Sequence, residues 1–308
     1  MSSVRVVLSA APDPTPWGTL AEWWARYRVL AEGAGSTIDA AILGGFAGDR
    51  MAPAFAAGYQ AALRALVPDL PPDSIVSFCV TEKGGGHPRA IATRLSTRGP
   101  VSYSISGEKR WATLSADAAL LLVVAKAGED PSTGKNLLRV ARVAAPAPGL
   151  RLVPMPETPF VPEIPHAEVL LDDVEVTETE LLPGDGYERY VKPFRTIEDL
   201  HVNAAIAGYL VREARLSGAE RALVARLASL LAALRELSKS DPTDAAVHVA
   251  LAGILVALRA IIEDVTEPFQ KAAPERYARF VRDKAIFGVA ESARAQRFER
   301  AWEQLAGG

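Results

Sequence analysis

Three consecutive glycines, Gly84 to Gly86, follow a short apolar run in the sequence. Glycine has no Cβ, so the backbone N–H groups of such a loop can approach a ligand closely, as they do in loops that hold phosphate groups. Most glycine triplets are simple turns, and this one suits a turn equally well. The triplet alone therefore leaves a ligand loop and a turn as open interpretations.

A tryptophan and a threonine follow farther along the chain. Trp111 and Thr113 alternate with Arg110 and Ala112, so a strand would place the two side chains on one face. A tryptophan beside a hydroxyl group could stack on an aromatic ligand and hydrogen-bond to its edge, although an isolated tryptophan is more often a core residue. Residues 106–108 predict a hairpin turn immediately before this pair.

The remaining reactive side chains predict no metal site and no familiar catalytic arrangement. His166 and His248 lie far apart and share no metal-ligand spacing. No Ser/His/Asp arrangement and no Walker-type loop occur. Cys79, the only cysteine, lies within a strand pattern and is expected to be a small buried apolar residue.

Composition changes twice along the chain and predicts three parts: residues 1–74, 75–186 and 187–308. The first part is helical, with aromatic residues at helical spacing between Leu20 and Tyr27 and a candidate N-cap at Ser36. The second carries short β-branched and aliphatic runs with many prolines, which favours an antiparallel β domain. The third is rich in Ala and Leu with interspersed charges, which is typical of a helical bundle.

This organisation predicts an α+β multi-domain fold. The predicted helices cover residues 36–46, 53–66, 192–216, 219–238, 243–266 and 274–305, in addition to the helix that contains Leu20. The predicted strands cover residues 75–80, 101–105, 120–124, 138–143, 166–171 and 174–176.

Length and charge exclude several functional classes. The chain has 308 residues, 49 % of them apolar, and a formal charge of −3, so it can form a large core and is not mainly disordered. The lack of basic excess argues against nucleic-acid binding. The longest apolar runs, residues 118–125 and 253–258, are far shorter than a membrane span. We therefore expect a cytoplasmic protein with no membrane partner, and one cysteine fits a reducing compartment.

Taken together, the two motif segments resemble the middle domain of the acyl-CoA dehydrogenase family. The family pattern is Thr-Glu followed by Gly-x-Gly-Ser-Asp and, farther along, Gly-x-Lys-x-Trp-x-Thr. Here Thr81-Glu82, the triplet Gly84 to Gly86, and Gly107-Glu-Lys-Arg-Trp-Ala-Thr113 match it. Further similar segments follow in the family's order: residues 147–149, 170–176, 181–186 and 204–208. The resemblance covers residues 75–308 and, less closely, 33–74. It implies the family's three-part fold, here with a short N-terminal helical part.

The resemblance implies FAD as the cofactor. In the family, the Thr-Glu strand holds the pyrimidine edge of the flavin, which corresponds to Val80 and Thr81 here. The tryptophan packs on the isoalloxazine and the next threonine bonds near its N5, which corresponds to Trp111 and Thr113. The family dehydrogenates an acyl-CoA thioester between its α- and β-carbons. We therefore expect an acyl-CoA or acyl-carrier thioester as substrate.

The glycine loop departs from the family pattern. Where the family has Ser-Asp after the glycines, with the serine on the phosphate side of the flavin, this sequence has His87-Pro88. We expect Gly86 and His87 to occupy the corresponding cofactor contact, with His87 replacing the serine as a donor. The alternative is an exposed loop histidine.

The resemblance also implies a catalytic base. Most family members carry a glutamate in a Tyr-Glu-Gly-Thr type loop, which lies beyond Gly308, where this sequence ends. One branch carries the base on the first C-terminal helix, ten residues before a glycine, and Glu198 lies ten residues before Gly208. The alternative is a solvated carboxylate near a helix start. Burial beside a flavin and a thioester would raise the pKa of Glu198. His201, on the same helix face, could pair with it or be structural.

Two further departures leave alternatives open. The N-terminal part is shorter than is usual in the family, and the Arg-x-x-Phe-Gly motif that meets a neighbouring subunit's FAD is not recognisable. Arg221 or Arg226 could replace its arginine or be solvated. The alternatives are a catalytically incomplete or silent subunit that binds a partner in a hetero-oligomer, and a flavin oxidase or monooxygenase on the same fold. Since the family forms dimers and tetramers, we expect a homo-oligomer.

Overall fold

The computed structural model of the protein describes residues 2–12, 16 and 18–307. The chain divides into two compact units. The helical unit contains residues 1–69, 158–161 and 194–308, and the β unit contains residues 70–157 and 162–193. The division into three parts at residues 74 and 186 stays a prediction.

Four helices begin the helical unit: α1 (Ser3–Ser9), α2 (Leu20–Glu32), α3 (Thr37–Ala47) and α4 (Met51–Leu66). The aromatic series of α2 is buried as its spacing predicts, and the Trp23 and Tyr27 rings stack with centroids 5.2 Å apart. Ser36 caps α3 through a bond from the Asp39 N–H, which confirms the predicted cap. Sequence analysis missed α1.

Five helices follow: α5 (Lys192–Leu216), α6 (Arg221–Leu237), α7 (Ala245–Ala272), α8 (Pro274–Asp283) and α9 (Glu291–Ala306). The helix predicted over 274–305 is thus two helices, separated by a 3₁₀ turn at Lys284–Gly288. A π-helical turn at Tyr187–Val191 precedes α5. Helix α5 packs closely on α3, because a Cβ at Gly208 would lie 2.4 Å from the Ile42 carbonyl oxygen. Only glycine fits at that crossing.

Helix α7 differs from the other helices in its length and apolarity. Among the described residues it is the one helix long and apolar enough to cross a membrane, judged by length and composition. About a third (33 %) of its most apolar stretch is buried. Because a core helix of a soluble protein can have the same composition, this is weak evidence for a membrane span.

The β unit contains one seven-stranded sheet: β1 (Val76–Cys79), β2 (Arg94–Thr97), β3 (Ser102–Thr113), β4 (Leu120–Glu129), β5 (Asn136–Ala144), β6 (Leu150–Pro154) and β7 (His166–Thr177). The order is β1-β4-β2-β3-β7-β6, and β5 pairs with β4. The sheet is mostly antiparallel, as predicted, but β1 runs parallel to β4, and β2 meets β4 in parallel at one residue pair. Strands β2 and β6 were missed because they show little of the buried alternation that marks a strand.

The predicted hairpin at residues 106–108 is wrong. These residues lie inside β3, which runs continuously past them. Gly107 has a φ of +150°, and a Cβ there would lie 2.6 Å from Cα of Thr93, the residue immediately before β2. The glycine therefore permits β3 to approach the neighbouring chain closely. In the sequence, a glycine with this role cannot be told from a glycine in a turn.

Candidate active site

The segment after β1 passes beside the end of β3. Val80 and Thr81 follow Cys79 directly and are half-buried. The Arg110 N–H donates to the Thr81 carbonyl over 2.7 Å, which brings Thr81 next to the residue that precedes Trp111. The two sequence motifs, one containing Thr81 and the other Trp111, therefore lie next to each other in the β unit.

Trp111 lies in a β-bulge of β3. Lys109 pairs with Val169 and Ala112 with Ala167, so the β3 side has one extra residue. Trp111 itself has a φ of +56°, and its side chain is 49 % exposed. The alternative of a core tryptophan is therefore wrong.

Contacts at the sheet end fix the indole of Trp111. Its ring meets the His166 ring edge to face, with centroids 5.9 Å apart, and its backbone N–H points to the Met155 sulfur at 3.3 Å. Burial lowers the pKa of His166, so this histidine is neutral at pH 7. The result is a fixed aromatic ring with an open face, beside an uncharged imidazole.

The two threonines of this region keep their hydroxyl groups available. Thr113 lies opposite His166 in the β3–β7 register. Within the described part of the chain, neither the Thr81 nor the Thr113 hydroxyl has a hydrogen-bond partner. An open aromatic face flanked by two available hydroxyl groups fits a planar heterocycle such as a flavin. The residues Val80, Thr81, Trp111 and Thr113 thus fit the cofactor that the resemblance implies.

The glycine triplet forms a tight turn. Glu82 and Gly85 exchange backbone hydrogen bonds of 3.1 and 2.9 Å, with Lys83 and Gly84 at the tip. His87 is exposed, and its Nδ1 accepts the Arg89 N–H over 3.2 Å, which caps the 3₁₀ turn at Pro88–Ala90. A phosphate contact by Gly86 or His87 stays a prediction.

A buried ion pair connects the two motifs, and sequence analysis missed it. Lys109 Nζ lies 2.6 Å from Glu82 Oε1, and Lys109 is fully buried. Burial alone would raise the pKa of Glu82, but Lys109 and the N–H groups of Ala92 and Thr93 outweigh it and lower that pKa. Each residue stands inside one of the recognised motifs, and that was the signal that could have found the pair. It fixes the segment after β1 that carries Thr81 to strand β3, which carries Trp111.

Glu198 lies on α5 in the helical unit, partly buried. Among the described residues it has no hydrogen-bond or ion-pair partner. Burial, followed by the charge of Asp199, raises the pKa of Glu198 to about 7, and the charges of Arg294 and Arg297 oppose the shift. A carboxylate with that pKa can accept or return a proton near neutral pH.

Asp199 explains why Glu198 stays unpaired. Arg294 donates to Asp199 Oδ1 over 2.6 and 2.9 Å, and Arg297 pairs with Oδ2. Both arginines come from α9, so these two cations make their ion pairs with the neighbour of Glu198, although their charges still oppose the rise in its pKa. The two neighbouring carboxylates therefore have different roles. Asp199 joins α5 to α9, and Glu198 is left without a partner among the described residues.

His201 does not pair with Glu198. Its Nδ1 bonds the Ile197 carbonyl oxygen at 2.7 Å, and its Nε2 bonds Thr37 Oγ1 at 3.0 Å. Burial lowers the pKa of His201 to about 4, so Nδ1 donates, Nε2 accepts and the ring is neutral. His201 is therefore structural and links α5 to α3.

The remaining residues that the sequence singled out have no reactive environment. Cys79 is buried, and burial raises the pKa of its thiol to about 12, so it is unreactive. Arg226 makes an exposed ion pair with Asp264, 2.5 Å long, while Arg221 is exposed. No group of three or more His, Cys, Asp or Glu residues suited to a metal ion occurs in the described ranges. The flavin candidates thus lie together in the β unit, and Glu198 lies in the helical unit.

Comparison with known proteins shows a family match in the β unit. Residues 77–174 match the family model for the acyl-CoA dehydrogenase middle domain. The Dictyostelium discoideum protein named "Probable short/branched chain specific acyl-CoA dehydrogenase" is 30 % identical over 119 residues, which is 38 % of this chain and 28 % of that protein. "Probable acyl-CoA dehydrogenase YngJ" of Bacillus subtilis is 27 % identical over 202 residues, 64 % of this chain and 52 % of that protein. The match thus spans about half or less of either relative.

The solved structures agree on the fold. Butyryl-CoA dehydrogenase from Megasphaera elsdenii superposes with a TM-score of 0.66 at 15 % identity, covering 90 % of this chain and 85 % of that one. A likeness at this identity establishes the fold. The predicted resemblance and fold class are therefore confirmed: residues 77–174 match the acyl-CoA dehydrogenase middle domain, and the chain has the acyl-CoA dehydrogenase fold.

Proposed function

We propose that the protein is a flavin-dependent oxidoreductase that dehydrogenates an acyl thioester between its α- and β-carbons. The fold and the family support a flavin-dependent dehydrogenase in general. The observation that carries the specific reaction is Glu198, an unpaired carboxylate whose pKa lies at about 7. Abstraction of a weakly acidic α-proton needs a base of this kind, held ready by the protein.

Thr81, Trp111 and Thr113, with the backbone at Val80, would hold the cofactor. FAD, when bound, supplies the acceptor for the hydride that leaves the β-carbon. Trp111 would orient the ring system through its open face, and the two threonine hydroxyl groups would bond to its polar edge. His166 packs against Trp111 and stays neutral, so it adds no charge beside the ring.

Glu198 would remove the α-proton and hold it as a neutral acid. Its raised pKa makes this favourable, because the protonated form needs no counter-ion in a partly buried position. Asp199 keeps Arg294 and Arg297 from pairing with Glu198, and in this way it maintains the basicity of the carboxylate.

We further propose a homo-oligomer, a dimer or tetramer, in the cytoplasm. On α7, Leu258, Ile261 and Ile262 are buried within the helical unit, whereas Val256 is 68 % exposed. With the exposed Gly253, Ala257 and Ala260 around it, Val256 forms a second apolar face that is available to another copy of the chain. Such a contact also explains the high apolarity of α7 without a membrane.

The visible absorption spectrum tests the proposal. Protein incubated with excess FAD and desalted should retain flavin bands, and anaerobic addition of butyryl-CoA should bleach them. Retained flavin that no acyl-CoA bleaches, together with oxygen consumption during turnover of another substrate, would replace the dehydrogenase with an oxidase or monooxygenase. A colourless protein would contradict the proposal and favour a silent subunit of a hetero-oligomer.

A further inference from the structure

A cationic cleft lies on the β unit, apart from the residues assigned to the flavin ring. Its volume is about 380 Å³. The charged residues that line it are Arg89, Arg94, Lys126 and Glu129. We propose that this cleft binds the pyrophosphate of a nucleotide ligand. The inference rests on the proposed function for the choice of nucleotide, and on the cleft alone for the pyrophosphate.

The charges of the cleft are only partly compensated. Lys126 pairs with Glu129. Within the described part of the chain, neither Arg89 nor Arg94 has a hydrogen-bond or ion-pair partner for its side chain. Three cations and one carboxylate leave a local excess of two positive charges on a chain whose formal charge is −3. The two guanidinium groups are therefore available to an anion.

Backbone hydrogen bonds on one side hold the segment that carries the arginines. Glu82 accepts the N–H groups of Ala92 and Thr93 at 2.8 and 3.1 Å. The Lys126 N–H donates to the Thr93 carbonyl over 2.7 Å. Arg94 thus follows a segment fixed to the Glu82–Lys109 pair, the same pair that fixes the segments carrying Thr81 and Trp111.

Asn136 holds the other side of the same segment. Its amide nitrogen donates to the carbonyl oxygens of Pro88 and Ile91 at 3.0 and 3.1 Å. Arg89 lies between these two anchored residues. A fixed backbone reduces the ordering cost of binding, which is what a preformed site requires.

The shape and chemistry favour a small phosphate ligand over an acidic protein surface. Guanidinium groups match phosphate oxygens with two parallel hydrogen bonds, and two of them with an ammonium group suit a doubly charged pyrophosphate. The cleft is concave and mostly polar, as expected for a small anion. Two ligands of the proposed reaction carry such a group, FAD and CoA.

Isothermal titration of the purified protein with ADP tests the cleft. The double variant Arg89→Gln/Arg94→Gln should bind ADP at least about tenfold more weakly, since two charged hydrogen-bonding groups are lost. Raised salt should weaken binding to the unchanged protein more than binding to the variant. The matched control is Arg151→Gln on β6, an exposed arginine outside the cleft, which should leave the affinity unchanged.

Two further titrations identify the source of the pyrophosphate. Weaker CoA binding with unchanged pantetheine binding assigns the cleft to the thioester carrier, and reduced FAD retention assigns it to the cofactor; either supports the inference. Equal ADP affinity in all three proteins would overturn it. Arginine-dependent binding of polyglutamate but not of ADP would also overturn it, in favour of an acidic partner. A protein that retains no flavin but binds ADP through these arginines would contradict the proposed function and leave the cleft assigned.

Discussion

The two units each contain a glutamate removed from bulk water, and the two carboxylates have opposite environments. In the β unit, Glu82 has a lysine and two backbone N–H groups as partners, and its pKa is lowered. In the helical unit, Glu198 has no partner among the described residues, and its pKa is raised to about 7. The difference lies in the neighbours, because burial alone raises the pKa of both.

The same residue type therefore has a structural role in one unit and is available for chemistry in the other. A fully paired carboxylate stays ionised and joins strands, so Glu82 fixes the segments that carry Thr81 and Trp111. A carboxylate whose cations are taken by its neighbour keeps a proton-accepting site, so Glu198 is available for catalysis. The lowered pKa of Glu82 is thus typical of a structural carboxylate, and the raised pKa of Glu198 is typical of a candidate base.

Glu198→Gln should have the largest effect. The amide cannot accept a proton, so anaerobic flavin reduction by an acyl-CoA should slow by about 100- to 10,000-fold, measured by stopped-flow absorbance. Flavin content should not change, since Glu198 lies outside the β unit. The control Glu267→Gln, an exposed glutamate on α7, should behave as the unchanged protein. Normal reduction by Glu198→Gln would remove this residue from the mechanism.

Lys109→Met should be the most destabilising of the variants. It leaves the Glu82 carboxylate buried without its cation, which costs about 3–5 kcal/mol of unfolding free energy in urea titrations. The double variant Glu82→Gln/Lys109→Met should recover part of that loss, because no unpaired charge remains. If Lys109→Met alone is as stable as the unchanged protein, the Glu82–Lys109 pair does not stabilise the segments that carry Thr81 and Trp111.

Stability should depend on pH in opposite directions at the two glutamates. The folded pKa of Glu198 is raised from 4.5 to about 7, so the folded state keeps a proton that the unfolded state releases, and stability falls as pH rises through this range. The contribution of Glu82, whose pKa is lowered, is present above pH 4.5 and is lost as pH falls. Relative to the unchanged protein, Glu198→Gln should gain up to about 3 kcal/mol between pH 4.5 and 7. Thermal unfolding at several pH values measures this gain, and a constant difference would contradict the assigned pKa.

Asp199→Asn should have the smallest of these effects. It removes a nearby negative charge and frees Arg294 and Arg297, and both changes lower the pKa of Glu198. The rising limb of the pH profile of kcat/KM should move to lower pH by about one unit. An unmoved limb, with a lower rate only, would assign Asp199 to structure alone.

The sequence predicted the fold class and the motif segments, because both depend on local patterns. Helical spacing identified the buried face of α2, and Ser36 was recognised as a cap from its position. The hairpin at 106–108 was predicted wrongly, because a glycine that admits a neighbouring strand looks the same in sequence as one that permits a turn. Strands β2 and β6 gave little periodic signal.

Long-range pairing explains what sequence could not supply. The α9 arginines that occupy Asp199 are distant in the chain, and no local pattern links them to it. The motif search found Glu82 and Lys109 only as parts of separate segments, and folding makes them one ion pair. Glu198 was singled out by the resemblance, but its lack of a partner required the packed helices.

Exchange of the α-proton of an acyl-CoA with D₂O, followed by NMR on the flavin-loaded protein, tests directly whether Glu198 removes that proton. It reports proton abstraction without requiring completed oxidation. We expect exchange that increases with pH around an apparent pKa of about 7 and that Glu198→Gln abolishes. Exchange of equal rate in Glu198→Gln would contradict it and require another base.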